Sequence, residues 1–126
     1  MSVNPIPEGY TSLTPFLVID GAAGAIEFYT AVFGATLIGK MDRPAGSLGT
    51  EIAHAELDFG DGRLQLSDPN PDYKLEAPER KESVTHSMVL YCPDVDDVVA
   101  RAEKAGATIR EAAQTFVTGD DGAEHA

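Results

Sequence analysis

A short internal repeat constrains the fold of this chain more than any other sequence feature. Gly34-Ala35-Thr36-Leu37 and Gly106-Ala107-Thr108-Ile109 share one pattern and lie 72 positions apart. The same offset superimposes the segments that precede the two tetrapeptides, which indicates that whole structural elements are repeated. The superimposed pairs are Thr14 with His86, Phe16 with Met88, Leu17 with Val89, Val18 with Leu90, and Ile26 with Val98. The repeat predicts two strand-helix-strand modules in register, and two generic strand-helix units of an α+β protein are the alternative.

Apolar periodicity and glycine positions predict the elements of the first module. A strand over Thr11–Ile19 is apolar on both faces, and a helix follows over about Gly21–Phe33, with Asp20 as its cap and Gly34 as its stop. Three strands are predicted after the helix, over about 36–41, 50–59 and 63–67. The last two strands join through Gly60-Asp61-Gly62, whose glycines suit a tight hairpin.

The second half of the chain repeats this order less completely. A proline-rich linker covers about 69–82, and a strand over Val84–Tyr91 follows it. A helix is predicted over about Asp94–Ala105, with Gly106 as its stop. A strand over about 107–112, a return at 115–118 and an acidic tail complete the chain. The chain is therefore predicted to be a single α+β domain over 1–126, with module one over about 10–68 and module two over about 83–126.

Six segments of the chain carry a family resemblance: LTPFL at 13–17, AIEFY at 25–29, VFGA at 32–35, HAEL at 54–57, LQLSD at 64–68 and TH at 85–86. With these segments the chain resembles the vicinal-oxygen-chelate superfamily, which includes glyoxalase I, bleomycin-resistance proteins and extradiol dioxygenases. More narrowly, the chain resembles the PhnB-like branch. The resemblance implies paired βαβββ modules with a ligand pocket between their sheets. The second module is expected to be incomplete and the chain shortened at its C-terminus. The repeat places the end of this module at about position 140, whereas the sequence has 126 residues.

The resemblance, together with strand parity, indicates which residues face the pocket. The expected ligand-binding residues are Thr14, Phe16, His54, Glu56, Gln65, His86 and Met88. The positions that match the superfamily's metal ligands are Thr14, Gln65 and His86. Neutral Thr and Gln oxygens bind divalent ions weakly, so no metal or other cofactor is expected. A divalent metal, with His54 and Glu56 partly substituting for missing ligands, is the alternative.

Charge and composition narrow the classes of partner. Nine basic residues against twenty-one acidic ones give a formal charge of −12, which disfavours nucleic acids and anionic membrane surfaces. No apolar run approaches the ~20 residues that cross a bilayer, and Met1–Tyr10 does not resemble a secretory signal. The single cysteine, Cys92, is expected to be inert and suits a reducing compartment. A cytoplasmic location is therefore expected.

These features together predict a protein that binds a small organic molecule in the inter-sheet pocket and sequesters a cationic drug or metabolite. The alternatives are a metal-dependent lyase, isomerase or dioxygenase of the same superfamily, or a truncated inactive domain. A homodimer is also expected, because a missing strand would leave a sheet edge unpaired and a second copy can cover it.

Overall fold

The computed structural model describes residues 4–44, 50–79, 84–114, 116–118 and 123–125. The chain divides into two compact units, Met1–His86 and Ser87–Ala126. Among the described residues, no helix has both the length and the apolar character needed to cross a membrane.

The first unit contains a βαβββ module. Strand β1 covers Phe16–Val18, and helix α1 covers Ala22–Phe33. The next three strands, β2, β3 and β4, cover Thr36–Pro44, Thr50–Asp58 and Arg63–Ser67. The strand order is β1-β4-β3-β2, in which β1 is parallel to β4 and the other neighbours are antiparallel. The predicted fold class and the order of these five elements are confirmed, although β1 is shorter than the predicted strand.

The core of this unit lies between α1 and one face of the sheet. Alternation along β3 and β4 turns Ala55, Leu57 and Leu66 toward this face, and each is 0% exposed. They pack with Ala22 and Ile26 of α1. Full burial of a leucine side chain contributes roughly 1.5–3 kcal/mol, so these contacts fix α1 against the sheet.

The cap of helix α1 differs from the prediction. Gly21, not Asp20, occupies the N-cap position, and glycine has no side chain that could cap the helix. Asp68, directly after β4, supplies the capping side chain instead. Its Oδ1 accepts hydrogen bonds from the amides of Gly21 (3.1 Å) and Ala22 (3.0 Å). Its Oδ2 accepts from the Ile52 amide at 2.7 Å. The carboxylate therefore ties the start of α1 to β3. The predicted stop at Gly34 is confirmed, with φ of 70°.

The predicted linker, about 69–82, is partly ordered by local hydrogen bonds. A short 3₁₀ helix covers Pro71–Tyr73, and an isolated β-bridge joins Asn70 to Leu75. Residues 80–83 of this prediction lie outside the described residues.

The second unit contains helix α2, Val95–Lys104, and a two-stranded antiparallel pair, β5 (Phe116–Thr118) and β6 (Ala123–His125). The Asp94 side chain accepts from the Asp97 amide at 3.0 Å, which satisfies one amide at the start of α2. The predicted helix is confirmed, and β5 falls within the predicted return at 115–118.

Two predicted strands of the second module are wrong. Neither Val84–Tyr91 nor 107–112 forms a strand. A strand needs a backbone partner, and an apolar sequence supplies only the propensity to pair. Val89 is 75% exposed and Tyr91 89% exposed, so the apolar run does not form a buried central strand. Among the described residues of the second unit, the full βαβββ order is not present, in agreement with the predicted incomplete second module.

Candidate functional site

The side chains of interest lie on the face of the sheet opposite α1, called here the distal face and defined by Phe16, His54, Glu56 and Gln65. Alternation along β3 places His54 and Glu56 opposite the buried Ala55 and Leu57. Glu56 is the register partner of Gln65, and Gln65 is the partner of Phe16. The distal face therefore carries a row of polar and aromatic side chains across three strands.

Glu56 is the centre of a hydrogen-bonded network on the distal face. Its Oε1 lies 3.1 Å from His54 Nε2 and accepts from Gln65 Nε2 at 3.2 Å. Its Oε2 accepts from the hydroxyl of Tyr10. Since all three partners can act as donors, they hold the carboxylate in one orientation.

The network lowers the pKa of Glu56. The main cause is the hydrogen bond from Tyr10, followed by the bond from His54, with smaller contributions from the charges of His54 and Arg63; burial acts in the opposite direction. Glu56 is therefore ionised at neutral pH. Because the folded-state pKa lies below the unfolded one, this network stabilises the fold above the ordinary pKa of a glutamate, about 4.3. That stabilisation is lost as the pH falls through the lowered value.

Tyr10→Phe is expected to raise the pKa of Glu56 toward its ordinary value, because the substitution removes the largest cause of the shift. An NMR pH titration of the Glu56 carboxyl carbon measures this change. Tyr73→Phe is the matched control, since Tyr73 is 77% exposed in the 3₁₀ helix, and it should leave the titration unchanged. An identical titration in wild type and Tyr10→Phe would contradict the assigned hydrogen bond.

The segment before β1 packs against the distal face through Tyr10. The Arg63 guanidinium carbon lies 4.3 Å from the centre of the Tyr10 ring, a cation–π contact. Gly9 favours this arrangement, because its φ of +86° is one that other residues rarely adopt and a Cβ there would crowd the Arg63 guanidinium. The Tyr10 amide also donates to the Pro7 carbonyl at 3.0 Å. Residues 5–14 therefore form a wall beside the sheet.

This wall and the sheet border a shallow cavity of about 690 Å³ that is largely open to solvent. Its lining residues are Pro5, Ile6, Pro7, Tyr10, Thr11, Ser12, Thr14, Glu56 and Gln65. Glu56 is the only charged residue among them. A cavity of this size suits a small organic molecule, with apolar contacts from the prolines and Ile6 and polar contacts from Glu56 and Gln65.

The structure brings together five of the seven predicted site residues. Thr14, Glu56 and Gln65 line the cavity. His54 does not line the cavity but contacts Glu56, and its ring centroid lies 5.7 Å from that of Phe16. The other two lie in the segment that was wrongly predicted as a strand. His86 is exposed, with Nδ1 3.2 Å from Thr85 Oγ1, and Met88 is 51% exposed in the second unit.

Sequence reasoning missed Tyr10 and Arg63 at this site. Tyr10 lies 46 positions from Glu56 and outside any regular element. The pair Gly9-Tyr10 carries a turn signal, because glycine adopts positive φ at little cost. That signal predicts a turn, but it does not indicate which part of the sheet the aromatic ring contacts.

The donor set does not fit a divalent metal. Within the described ranges, no group of three or more His, Cys, Asp or Glu residues is close enough to hold an ion. Gln65, at a position that matches a family ligand, donates its amide to Glu56. Both carboxylate oxygens of Glu56 already accept hydrogen bonds, and neutral Thr and Gln oxygens are poor ligands for a divalent ion. The absence of a metal or other cofactor remains a prediction, with a divalent metal as its alternative.

The fold and the matched segments define the class of this protein. The family profile of the Glyoxalase/Bleomycin resistance protein/Dioxygenase superfamily matches residues 12–121. The chain belongs to this superfamily.

The relatives found include two mycobacterial proteins. The chain is 33% identical to Uncharacterized protein Mb0911c of Mycobacterium bovis over 123 residues, which cover 95% of this chain and 76% of that protein. It is equally similar to Uncharacterized protein Rv0887c of Mycobacterium tuberculosis, of which the match covers 68%. Among solved structures, the crystal structure of TioX from Micromonospora sp. ML1 matches with 25% identity and a TM-score of 0.49, over 80% of this chain and 75% of that one.

Proposed function

We propose that this protein binds a small organic molecule that carries a cationic, hydrogen-bond-donating group. The supporting observation is Glu56, an ionised carboxylate in a cavity of about 690 Å³ whose other lining residues are uncharged. A cationic N–H group placed near Glu56 gains a charge-assisted hydrogen bond. Pro5, Ile6 and Pro7 would contact the apolar body of the same molecule.

Sequestration of a cationic drug or metabolite is the specific role that this proposal favours. The net charge of −12 adds long-range attraction for cations. The superfamily also contains enzymes, but the donor set described above does not favour a metal-dependent lyase, isomerase or dioxygenase. Membership of the PhnB-like branch, a shortened C-terminus, a homodimer and a cytoplasmic location remain predictions from the sequence.

Three probes of similar shape test the proposal: benzylamine, benzyl alcohol and benzoate, compared by ligand-observed NMR at neutral pH. Benzylamine should bind most tightly, and Glu56→Gln should weaken its binding by roughly fivefold, the ~1 kcal/mol expected of a partly exposed ion pair. Benzyl alcohol binding should change little.

Glu27→Gln is the matched control for this experiment. Glu27 is exposed on α1, on the opposite side of the sheet, and the substitution removes the same charge from the protein. It should leave benzylamine binding unchanged. Equal binding of the three probes, or equal losses in Glu27→Gln and Glu56→Gln, would show that Glu56 does not select the ligand.

A further inference from the structure

His54 is held in a defined orientation on the distal face. Its Nε2 lies 3.1 Å from Glu56 Oε1, and its ring packs against Phe16 with an interplanar angle of 42°. The side chain is nevertheless 38% exposed. An imidazole that is oriented by a carboxylate and still accessible has the geometry required of a general base.

Glu56 determines which nitrogen of the neutral imidazole carries the proton. An ionised carboxylate can only accept hydrogen bonds, so the proton in the His54–Glu56 contact belongs to Nε2. The lone pair is then on Nδ1. Tyr10 and Gln65 donate to Glu56 and hold it in place, so the orientation of His54 depends on a fixed carboxylate.

The proton that this base could take belongs to a bound molecule. In the described part of the chain, no Ser, Thr or Cys side chain forms a hydrogen bond with the imidazole, so there is no protein nucleophile for His54 to activate. His54 does not line the cavity itself, but its Nε2 contacts Glu56, which does. A molecule that extends from the cavity past Glu56 along the distal face would reach His54.

We propose that His54 is a general base for proton abstraction from a small organic molecule with a weakly acidic C–H group, and that Glu56 is its positioning residue. This inference rests on the proposed function, because the molecule must first bind beside Glu56. In the step, Nδ1 forms a bond to the proton and the electron pair of the C–H bond stays on the molecule. The proton returns to another position of the molecule or passes to water, so no oxidant or reductant is consumed.

A nitrobenzisoxazole is the probe for this activity, since loss of its ring proton to a base breaks the N–O bond and leaves the electron pair on oxygen. The coloured cyanonitrophenolate that forms is followed by absorbance. Wild-type protein should accelerate this reaction relative to the same concentration of free imidazole. His54→Ala should lower kcat by roughly 100-fold, the range of general-base catalysis, and added imidazole should restore part of it.

The remaining variants test whether Glu56 positions His54, and they distinguish that role from a role in probe binding or in folding. Glu56→Gln should lower kcat with little change in KM, and imidazole should not rescue it, because the His54 ring is still present. Glu27→Gln, on the other side of the sheet, should react as wild type. Circular dichroism verifies that each variant is folded.

A wild-type rate no greater than that of free imidazole would overturn the inference, as would a His54→Ala variant that keeps the wild-type kcat. Preferential binding of benzylamine in the same preparation would then leave the proposed binding function intact. Loss of that preference, in contrast, would count against the proposed function itself.

Discussion

Asp68→Ala is expected to lower the free energy of unfolding of the first unit by about 3 kcal/mol. The carboxylate accepts hydrogen bonds from the amides of Gly21, Ala22 and Ile52. A hydrogen bond to a charged group contributes roughly 1.5–3 kcal/mol, and bonds that share one carboxylate are not additive. Urea unfolding measures the loss. Near-ultraviolet circular dichroism is a suitable signal, because Tyr29, Phe33 and Phe59 pack together in this unit.

Asp58→Ala is the control for this effect. Asp58 Oδ1 accepts one hydrogen bond, from the Gly60 amide at 2.8 Å, in an exposed hairpin. Its loss should cost less than about 1 kcal/mol. Asp68→Asn should fall between the two, because the amide keeps an oxygen acceptor but turns its NH₂ group toward a backbone donor. Similar losses for Asp58→Ala and Asp68→Ala would contradict the role assigned to Asp68.

The first module was predictable because its signals are local. Period-two alternation in β3, the amphipathic stripe of α1 and the glycine stop at Gly34 each depend on residues within about a turn or a strand of one another. The cap of α1 was not predictable in this way. Asp20 has the residue type and position that favour a cap, whereas Asp68 reaches the helix through sheet pairing, 47 positions from Gly21 in sequence.

The second module shows where local sequence patterns fail to predict structure. Val84–Tyr91 has a strand-like composition and a repeat partner in module one, yet it forms no ladder. Strand formation is decided by backbone partners that are distant in sequence, and composition does not supply them. Helix α2 was predictable because its cap Asp94 and its Asp97–Arg101 ion pair lie within the helix or next to it.

Part of the candidate site was predictable because alternation along a strand is a local pattern. Parity along β3 places His54 and Glu56 on one face, and the family resemblance adds Gln65; the structure joins the three by hydrogen bonds. Their roles in binding remain predictions. Tyr10 could not be predicted, because it lies in an irregular segment that has no period relating it to the sheet. Arg63 is the first residue of β4 and shares the strand parity of Gln65, a signal that could have placed it on the distal face.

Leu66→Ala is expected to lower the free energy of unfolding of the first unit by about 3–4 kcal/mol. Leu66 is 0% exposed in β4, between its register partners Leu17 of β1 and Ala55 of β3. Truncation removes buried apolar surface and leaves a cavity that α1 and the neighbouring strands cannot fully close. Urea unfolding with the same aromatic signal measures the change.

Gln65→Ala, one residue away, tests whether the two faces of the sheet have different roles. Gln65 points to the distal face, and its amide donates one hydrogen bond to Glu56 at 3.2 Å. Its truncation should cost about 1 kcal/mol or less in stability, because no core contact is lost. It should nevertheless weaken benzylamine binding, since Glu56 loses one of its donors. A stability loss in Gln65→Ala equal to that in Leu66→Ala would mean that the distal face is part of the core. A small loss together with weaker binding would assign the α1 side of the sheet to folding and the distal side to the ligand.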